Sequence, residues 1–573
     1  MIQLLKYAKK YRKQVILGPI FKFLEAVLEL FLPLFMAKLV DQGIRQGDFQ
    51  QIQQTTLQLI LISIVGFACA LLCQYYASIA SQGFGTELRN VLMAKINHFS
   101  HEELDRFGTA TLITRMTSDI NQLQLALAML IRLVVRAPFL SIGSVVMAFY
   151  IDWQMGLIFL LILPVFCLIL FFIIRKSIPL YKKVQKHLDL LSQQITQNLS
   201  GVRVIRAFAG RKTEMKHFAK TTDDLAAIYK RVTNISALLS PATIFIMNLG
   251  IIALLYIGGE KVNFGNLQQG EVVALVNYMN QMLLSLIAVS DLVIIFTRAA
   301  ASGNRVNEIL ASKNPLVEKT APQIGVQKPT SLVTFKDVDF RYNANAGLAL
   351  AGINFTIHPQ EMIGITGATG SGKTTLTQLI PRFYDAAAGE ITFNEVAVTD
   401  WQSAALCQQI AMVPQRAVLF SGTIRSNLAW GNTAASETDY WQALEIAQCA
   451  DFVQQLPESL DTPIVEGGKN FSGGQRQRLT IARALMVQSQ LLILDDSLSA
   501  LDYQTDLALR QALSQKYQGA VIIISQRIRS LQQAAQIIVM DNGKIAGLGS
   551  HEKLLATCTE YQEIVASQGD QPV

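Results

Sequence analysis

The chain has 573 residues, more than one ordinary core can use, and length alone suggests about two to four domains. It is 51% hydrophobic with 16% charged residues and a mean hydropathy of +0.32, a balance that argues against a wholly soluble protein and suits a membrane protein with a soluble domain attached. The net charge of +7 lies largely beside apolar segments and not in one basic stripe with interleaved aromatics, so it reads as orientation charge and not as a nucleic-acid footprint.

The first half holds the long apolar segments. Met1 to Lys13 interleaves Lys6, Lys9, Lys10, Arg12 and Lys13 with Leu4, Leu5, Tyr7 and Tyr11, which suits an amphipathic helix on the inner membrane surface. Six membrane-length segments follow: Val15 to Val40, Thr56 to Ile79, Leu127 to Tyr150, Gln154 to Ile174, Ile235 to Ile257 and Val272 to Phe296. The first is too long and too charged for a signal-peptide core, so it is expected to stay in the chain. Connections after the second and fourth segments are long and basic, with Arg89, Lys95, Arg106 and Arg115 in one and Arg175, Lys176, Lys182, Lys183, Arg203 and Arg206 in the other; the remaining loops are short and poor in Lys and Arg. Positive-inside reasoning places the long connections and both termini in the cytoplasm. The six cysteines have no C-x-x-C pair and read as free thiols.

Two pairs of charges fall within these spans, Glu25 with Glu29 in the first and Arg132 with Arg136 in the third. Each pair is four residues apart and shares a helix face. Intramembrane charges mark a transport pathway or an ion pair, and the sequence leaves both open, so these four residues are candidates for contact with cargo. After the sixth span a helical pattern runs to Leu310. Pro315, Pro322, Pro329 and Gly325 then mark a linker over 311–330, and 331–573 alternates strand-like and helix-like runs as a soluble α/β domain does. Gln568 to Val573 is expected to fray.

Within that domain, Gly367-Ala368-Thr369-Gly370-Ser371-Gly372-Lys373-Thr374-Thr375 fits the phosphate-binding pattern G-x-x-x-x-G-K-[ST]. The apolar run Met362 to Ile365 before it reads as a buried strand and the residues from Thr374 onward as a helix, which is the context the motif requires. Glycines let backbone N–H groups turn toward a phosphate, Lys373 supplies a point charge, and the Thr374 hydroxyl suits Mg²⁺. Leu491 to Leu494 is an apolar run ending in Asp495-Asp496, so a parallel strand there delivers an acid to its carboxyl end, and Asp495 is the expected Mg²⁺ carboxylate. Phe471-Ser472-Gly473-Gly474-Gln475 is a second glycine-bearing loop at a helix start.

With these motifs in this order, and six spans with two long cytoplasmic loops before them, the chain resembles the ATP-binding cassette family in its exporter form along nearly its whole length. The resemblance implies a six-helix α-helical membrane domain over 1–310 fused through the linker to an α/β P-loop cassette over 331–573. It implies ATP and Mg²⁺ as cofactors, ATP hydrolysis coupled to transport, and a multi-pass place in a bacterial cytoplasmic membrane. Tyr342 matches the aromatic that stacks on adenine; Gln415 matches the glutamine that senses Mg²⁺; Ser472, Gly473, Gly474 and Gln475 match the signature loop, which serves the ATP of a facing cassette. Ser499 to Asp502 matches the loop that crosses the dimer interface, and Glu466 falls in a segment that touches the intracellular loops. Leu112 to Asp119 and Gly201 to Phe208 resemble the regions that couple cassette to membrane. His551 reads as an ordinary surface histidine.

Two positions depart from the family. Asp496 stands where a glutamate is usual, and Gln526, after the strand Val521 to Ile524, stands where a histidine is usual. Asp is a methylene shorter, which withdraws its carboxylate by roughly 1 to 1.5 Å, and a misplacement of about 1 Å can cost on the order of a hundredfold. Gln can donate a hydrogen bond but cannot carry a proton as imidazole does. The site on this phosphate loop is therefore expected to hydrolyse ATP weakly, and the partner to be a homologous half-transporter with the usual residues, in a heterodimer moving amphipathic, multidrug-like cargo. An importer of exporter-like architecture and a nucleotide-gated channel or regulator are the alternatives.

Overall fold

The computed structural model describes residues 2–312, 329–343 and 346–568. It divides into two compact units: Met1–Asn97 with Ala110–Ser312, and His98–Thr109 with Lys313–Val573. All but the ends of the expected linker over 311–330 lies outside the described residues.

The first unit is helical. Among the described residues five stretches are long and apolar enough to cross a membrane: Phe49–Asn97, Thr109–Ile151, Trp153–Ser200, Arg211–Asn263 and Gln269–Ala311. The expected first span falls on the helix Arg12–Lys38, which carries Lys22, Glu25 and Glu29 in its middle and does not reach that apolar standard. Those charges are partnered, one pair within the helix and one with a neighbour. Lys22 Nζ donates to Glu25 Oε1 at 2.7 Å, and Arg136 Nη2 donates to both Glu29 oxygens at 2.9 Å. Arg132 instead donates to the Ser78 hydroxyl at 3.2 Å. The core of this unit gathers Ala26, Leu30, Leu140, Phe159, Phe166, Tyr278 and Met282, and Ser141 and Ser285 share a hydrogen bond of 2.6 Å inside it. Tyr278 closes the packing by donating its hydroxyl to the Leu30 carbonyl at 2.5 Å. The N-terminal Ile2–Tyr11 is a tight 3₁₀ helix that buries Leu4 and Ala8 and leaves Lys9 and Lys10 exposed.

The second unit is built on a six-stranded sheet in the order Lys544–Gly549, Gln536–Asp541, Met362–Gly367, Ala520–Ile524, Leu491–Asp495, Ile410–Val413. All neighbours are parallel except the first pair. Period-two alternation divides the central strands between two cores. Leu491 and Ile493, with Ile522 and Ile524, face the core shared with a four-stranded antiparallel sheet, while Leu492, Leu494, Val521 and Ile523 face helices such as Gly473–Leu485. A parallel sheet buried on both faces reads as continuous apolar runs, which is why these strands stand out in the sequence. The register sets Ile524 opposite both Ile365 and Asp495, so the loops bearing the phosphate motif, Gln526, Asp495 with Asp496, and Gln415 leave neighbouring strands at their carboxyl ends.

A short helix, His101–Phe107, belongs to this second unit although the chain on both sides of it belongs to the first. Its His101 ring stacks on Phe383 at 4.0 Å, and its Asp105 accepts a hydrogen bond of 2.6 Å from the Tyr384 hydroxyl. The stretch 112–119, singled out above as a coupling region, lies in the first unit, where Asp119 pairs with Arg305 and accepts from Ser302 at 2.9 Å.

Candidate functional site

The phosphate loop follows the strand Met362–Gly367 and precedes the helix Lys373–Leu379. Gly367 has φ 143°, and a Cβ there would sit 2.1 Å from the Met540 carbonyl, so the strand can leave the sheet in this direction only as glycine. Gly370 and Gly372 also have positive φ, at 84° and 101°. Lys373 Nζ is folded back into the loop, donating to the Gly367 carbonyl at 2.9 Å and the Ala368 carbonyl at 2.7 Å. Burial lowers its pKa, against the attraction of Asp496 and Asp495.

Thr374 Oγ1 donates to Asp495 Oδ1 at 3.0 Å, and Asp495 is 3% exposed at the end of its strand. Burial raises its pKa; the Thr374 hydrogen bond opposes that shift, the neighbouring Asp496 charge adds to it, and Lys373 opposes it. The hydroxyl of the exposed Thr374 beside the buried Asp495 carboxylate, open to a cavity, fits Mg²⁺, which takes few protein ligands and completes its shell with water and substrate phosphates. Consistent with that division, no group of three or more His, Cys, Asp or Glu among the described residues forms an all-protein metal cage.

Gln415 Nε2 donates to Asp496 Oδ2 at 3.1 Å, and Gln526 Nε2 reaches Thr369 Oγ1 at 3.4 Å. Asp496 is in the left-handed region at φ 46°, which Asp tolerates better than most residues. Together with Tyr342, Gly370, Gly372, Lys373, Thr374, Thr375 and Asp495, these side chains line one cavity of about 500 Å³. Its size and lining suit a nucleotide: a basic loop at one end, and at the other Tyr342, 40% exposed, with its hydroxyl 2.7 Å from Thr375 Oγ1. Mg²⁺ bound at Thr374 and Asp495 would supply charge neutralisation for the phosphates.

The signature residues are elsewhere. Ser472 caps the helix Gly473–Leu485, accepting from Gln475 N at 3.3 Å while Gln475 Oε1 accepts from Ser472 N at 2.9 Å. None of Ser472, Gly473, Gly474 and Gln475 lines the cavity around Lys373. Glu466 is exposed, and His551 is half-buried with Nδ1 2.8 Å from the Tyr561 hydroxyl. Of the four charged candidates in the membrane unit, Glu29 and Arg136 meet, Glu25 pairs with Lys22, and Arg132 bonds Ser78.

Sequence reasoning missed two residues that line this cavity, an aromatic beside Tyr342, and a charge partner in the membrane unit. Asn542 and Gly543 line the cavity, and Gly543 N donates to the Ser371 carbonyl at 3.1 Å. Their Asn-Gly dipeptide, with φ 44° and 78°, is a hairpin signal that was available in the sequence. Tyr384 stands 5.4 Å from Tyr342, edge to face, and no local pattern marks it. Lys22, the partner of Glu25, was visible as a charge but not as a pair.

Comparisons with known proteins agree with this geometry. Residues 15–286 match the ABC transporter transmembrane region and residues 350–499 match the ABC transporter family. The chain is 35% identical over 99% of its length to the uncharacterised ABC transporter ATP-binding protein YfiB of Bacillus subtilis (strain 168), covering 98% of that protein. It is 28% identical to the ATP-dependent lipid A-core flippase of Syntrophus aciditrophicus (strain SB), over 98% of this chain and 93% of that one. The solved structure of a bacterial Atm1-family ABC exporter with ATP bound shares the fold, with a TM-score of 0.81 at 23% identity over 98% of this chain and 100% of the other. The chain therefore belongs to the ABC transporter family: it is an ATP-hydrolysing transporter with membrane region and cassette fused, built on an exporter-type fold.

Proposed function

We propose that this chain is the weak-site half of a heterodimeric exporter that moves amphipathic, multidrug-like compounds outward across the cytoplasmic membrane, with both termini and the cassette in the cytoplasm. The observation that carries this reading is that the two departures from the family, Asp496 and Gln526, line the same cavity as Lys373. Asp496 is engaged by Gln415, and Gln526 points its amide at Thr369. In such a site ATP is held by Lys373, Thr374 and the glycine loop. The group that should draw a proton from attacking water is short, and the neutral amide opposite cannot exchange one. ATP bound here acts as a clamp, while Ser472 to Gln475 completes a stronger site on the partner.

In the membrane region the helix Arg12–Lys38 is the sixth span. Its charges are paired, Lys22 with Glu25 and Glu29 with Arg136, which lowers the cost of carrying them into hydrocarbon. These pairs brace the spans, and Arg132, with a serine and not a carboxylate as its partner, is the charged candidate for cargo contact. Similarity to a lipid A-core flippase supports an amphipathic cargo.

The test purifies the full chain alone and with the homologous chain it co-purifies with, and compares ATP turnover. Low turnover alone, restored by the partner, is expected. High turnover by the lone chain that disappears in Lys373→Ala sinks the weak-site reading. Cargo movement into sealed inverted vesicles, concentrative and dependent on ATP, separates an exporter from an importer or a channel.

A further inference from the structure

The loop after the strand Ala520–Ile524 carries Gln526 into the nucleotide cavity, and its two ends are anchored. Ser525 is buried and donates its N–H to the Ile365 carbonyl at 3.1 Å; Ile528 is fully buried, and Ser530 donates to Asp506 Oδ2 at 2.7 Å. Between those anchors Gln526 and Arg527 are exposed. A residue far along the chain brackets them: Gln568 Nε2 donates to the Gln526 carbonyl at 2.6 Å, and Gln568 Oε1 accepts from Ile528 N at 3.0 Å. Gln568 follows the helix Thr559–Ser567, which is held down by the buried Tyr561 and Val565, so its amide is presented from a fixed element. The chain end expected to fray is tied down at this residue; 569–573 lies outside the described residues.

Arg527, inside that bracket, points to another loop. Its guanidinium donates to the Ser499 carbonyl at 2.9 Å and to the Leu501 carbonyl at 3.1 Å. That loop in turn abuts the signature helix, since a Cβ on Gly474 would stand 3.2 Å from the Ala500 carbonyl. One side-chain amide thus stands at the head of a continuous set of contacts from the Gln526 wall of the cavity to the start of the signature helix.

We propose that Gln568 is a positioning residue for ATP turnover: by bracketing the main chain around Arg527 it fixes Gln526 in the cavity and, through Arg527, sets the loop Ser499 to Asp502 beside the signature helix. The inference does not depend on whether the site is weak or on the identity of a partner. A side-chain amide is suited to the task because it holds N–H donors and an acceptor oxygen side by side in one plane, matched here to one carbonyl and one N–H two residues apart.

The test compares the full chain in lipid nanodiscs with Gln568→Met, which removes both bonds, and Gln568→Glu, which keeps only the acceptor. Amide hydrogen exchange in Gln568→Met should accelerate about fivefold or more in 526–530 and in 498–502, with no change in the strand 520–524. ATP turnover should fall about tenfold in kcat, with KM for ATP within about twofold of the parent and Tm unchanged, and Gln568→Glu should lie between the two. In a Gln526→Ala background the loss caused by Gln568→Met should shrink from about tenfold to about threefold, the remainder being the part transmitted through Arg527 to the loop Ser499 to Asp502. Unchanged exchange in either loop, an unchanged kcat, or full additivity with Gln526→Ala overturns the proposal. So does a loss in which kcat, KM and Tm decline together, as general loosening of the cassette would produce.

Discussion

Asp495 carries a cost that the fold accepts for function. Burial holds its pKa above the ordinary carboxylate range, so the folded, nucleotide-free cassette binds the proton more tightly than the unfolded chain does. Stability from this residue is therefore present at acid pH and is lost as pH rises through the raised pKa. Asp495→Asn should stabilise the nucleotide-free protein at about pH 7.5, with Tm higher by about 2–4 °C, and the gain should fade in the acid range. The same variant should lose Mg²⁺-dependent turnover. Thermal unfolding at both pH values, read beside turnover, checks the sign of each effect. At Asp496 and Gln526 the expectation is the reverse: Asp496→Glu with Gln526→His should raise turnover at this site by on the order of tenfold to a hundredfold. Steady-state turnover, with the partner's phosphate-loop lysine replaced by alanine to silence its site, would measure it. Lys373, Thr374 and Asp495 were legible from the phosphate-loop spacing and the acid-ended strand, whereas Asp496 and Gln526 stood out only by likeness to the family. Tyr384 was not legible, because its role comes from standing beside Tyr342 after a separation of 42 positions along the chain.

At the scale of elements, the helix His101–Phe107 was the least legible piece. Its seven residues hold no run long enough to show a period, and its only local sign is the cap, where Ser100 accepts from Glu103 N at 3.3 Å. Its place is fixed by contacts with residues nearly three hundred positions away, His101 on Phe383 and Asp105 with Tyr384. Burial lowers the His101 pKa, with Asp105 opposing, so the packed helix favours neutral imidazole. The stability this gives is full above the ordinary histidine pKa of about 6.5 and is lost as pH falls below it. Amide exchange over 101–107 should therefore be slow at about pH 7.5 and quicken at about pH 5.5, and His101→Phe should remove that dependence. Exchange that is indifferent to pH in the parent chain would contradict this account. The sheet strands, by contrast, could be read from their apolar runs, but their order could not: Leu491–Asp495 lies between Ile410–Val413 and Ala520–Ile524 through crossovers that leave no mark in any one segment.

For the molecule as a whole, the membrane unit pairs Glu25 with Lys22 and Glu29 with Arg136. Arg136→Gln leaves the Glu29 carboxylate without its bidentate partner, and breaking a buried pair typically costs about 3–5 kcal/mol. Both side chains are near 30% exposed, so the lower end of that range is expected here. The double variant Glu29→Gln with Arg136→Gln should regain most of the loss, because no lone charge remains. Thermal unfolding of the purified chain in nanodiscs measures both, and equal loss in the single and double variants would count against bracing. The cassette offers a different kind of freedom. Its parallel strands are paired up to Asp495 and Ile524, and the two residues proposed to weaken the ATP site, Asp496 and Gln526, come just after the last paired positions. The register that folds the sheet ends where the tuning of the site begins. On the proposed reading, point changes there can strengthen or silence the site while the architecture stays the same, so that division of labour between two related subunits needs few substitutions.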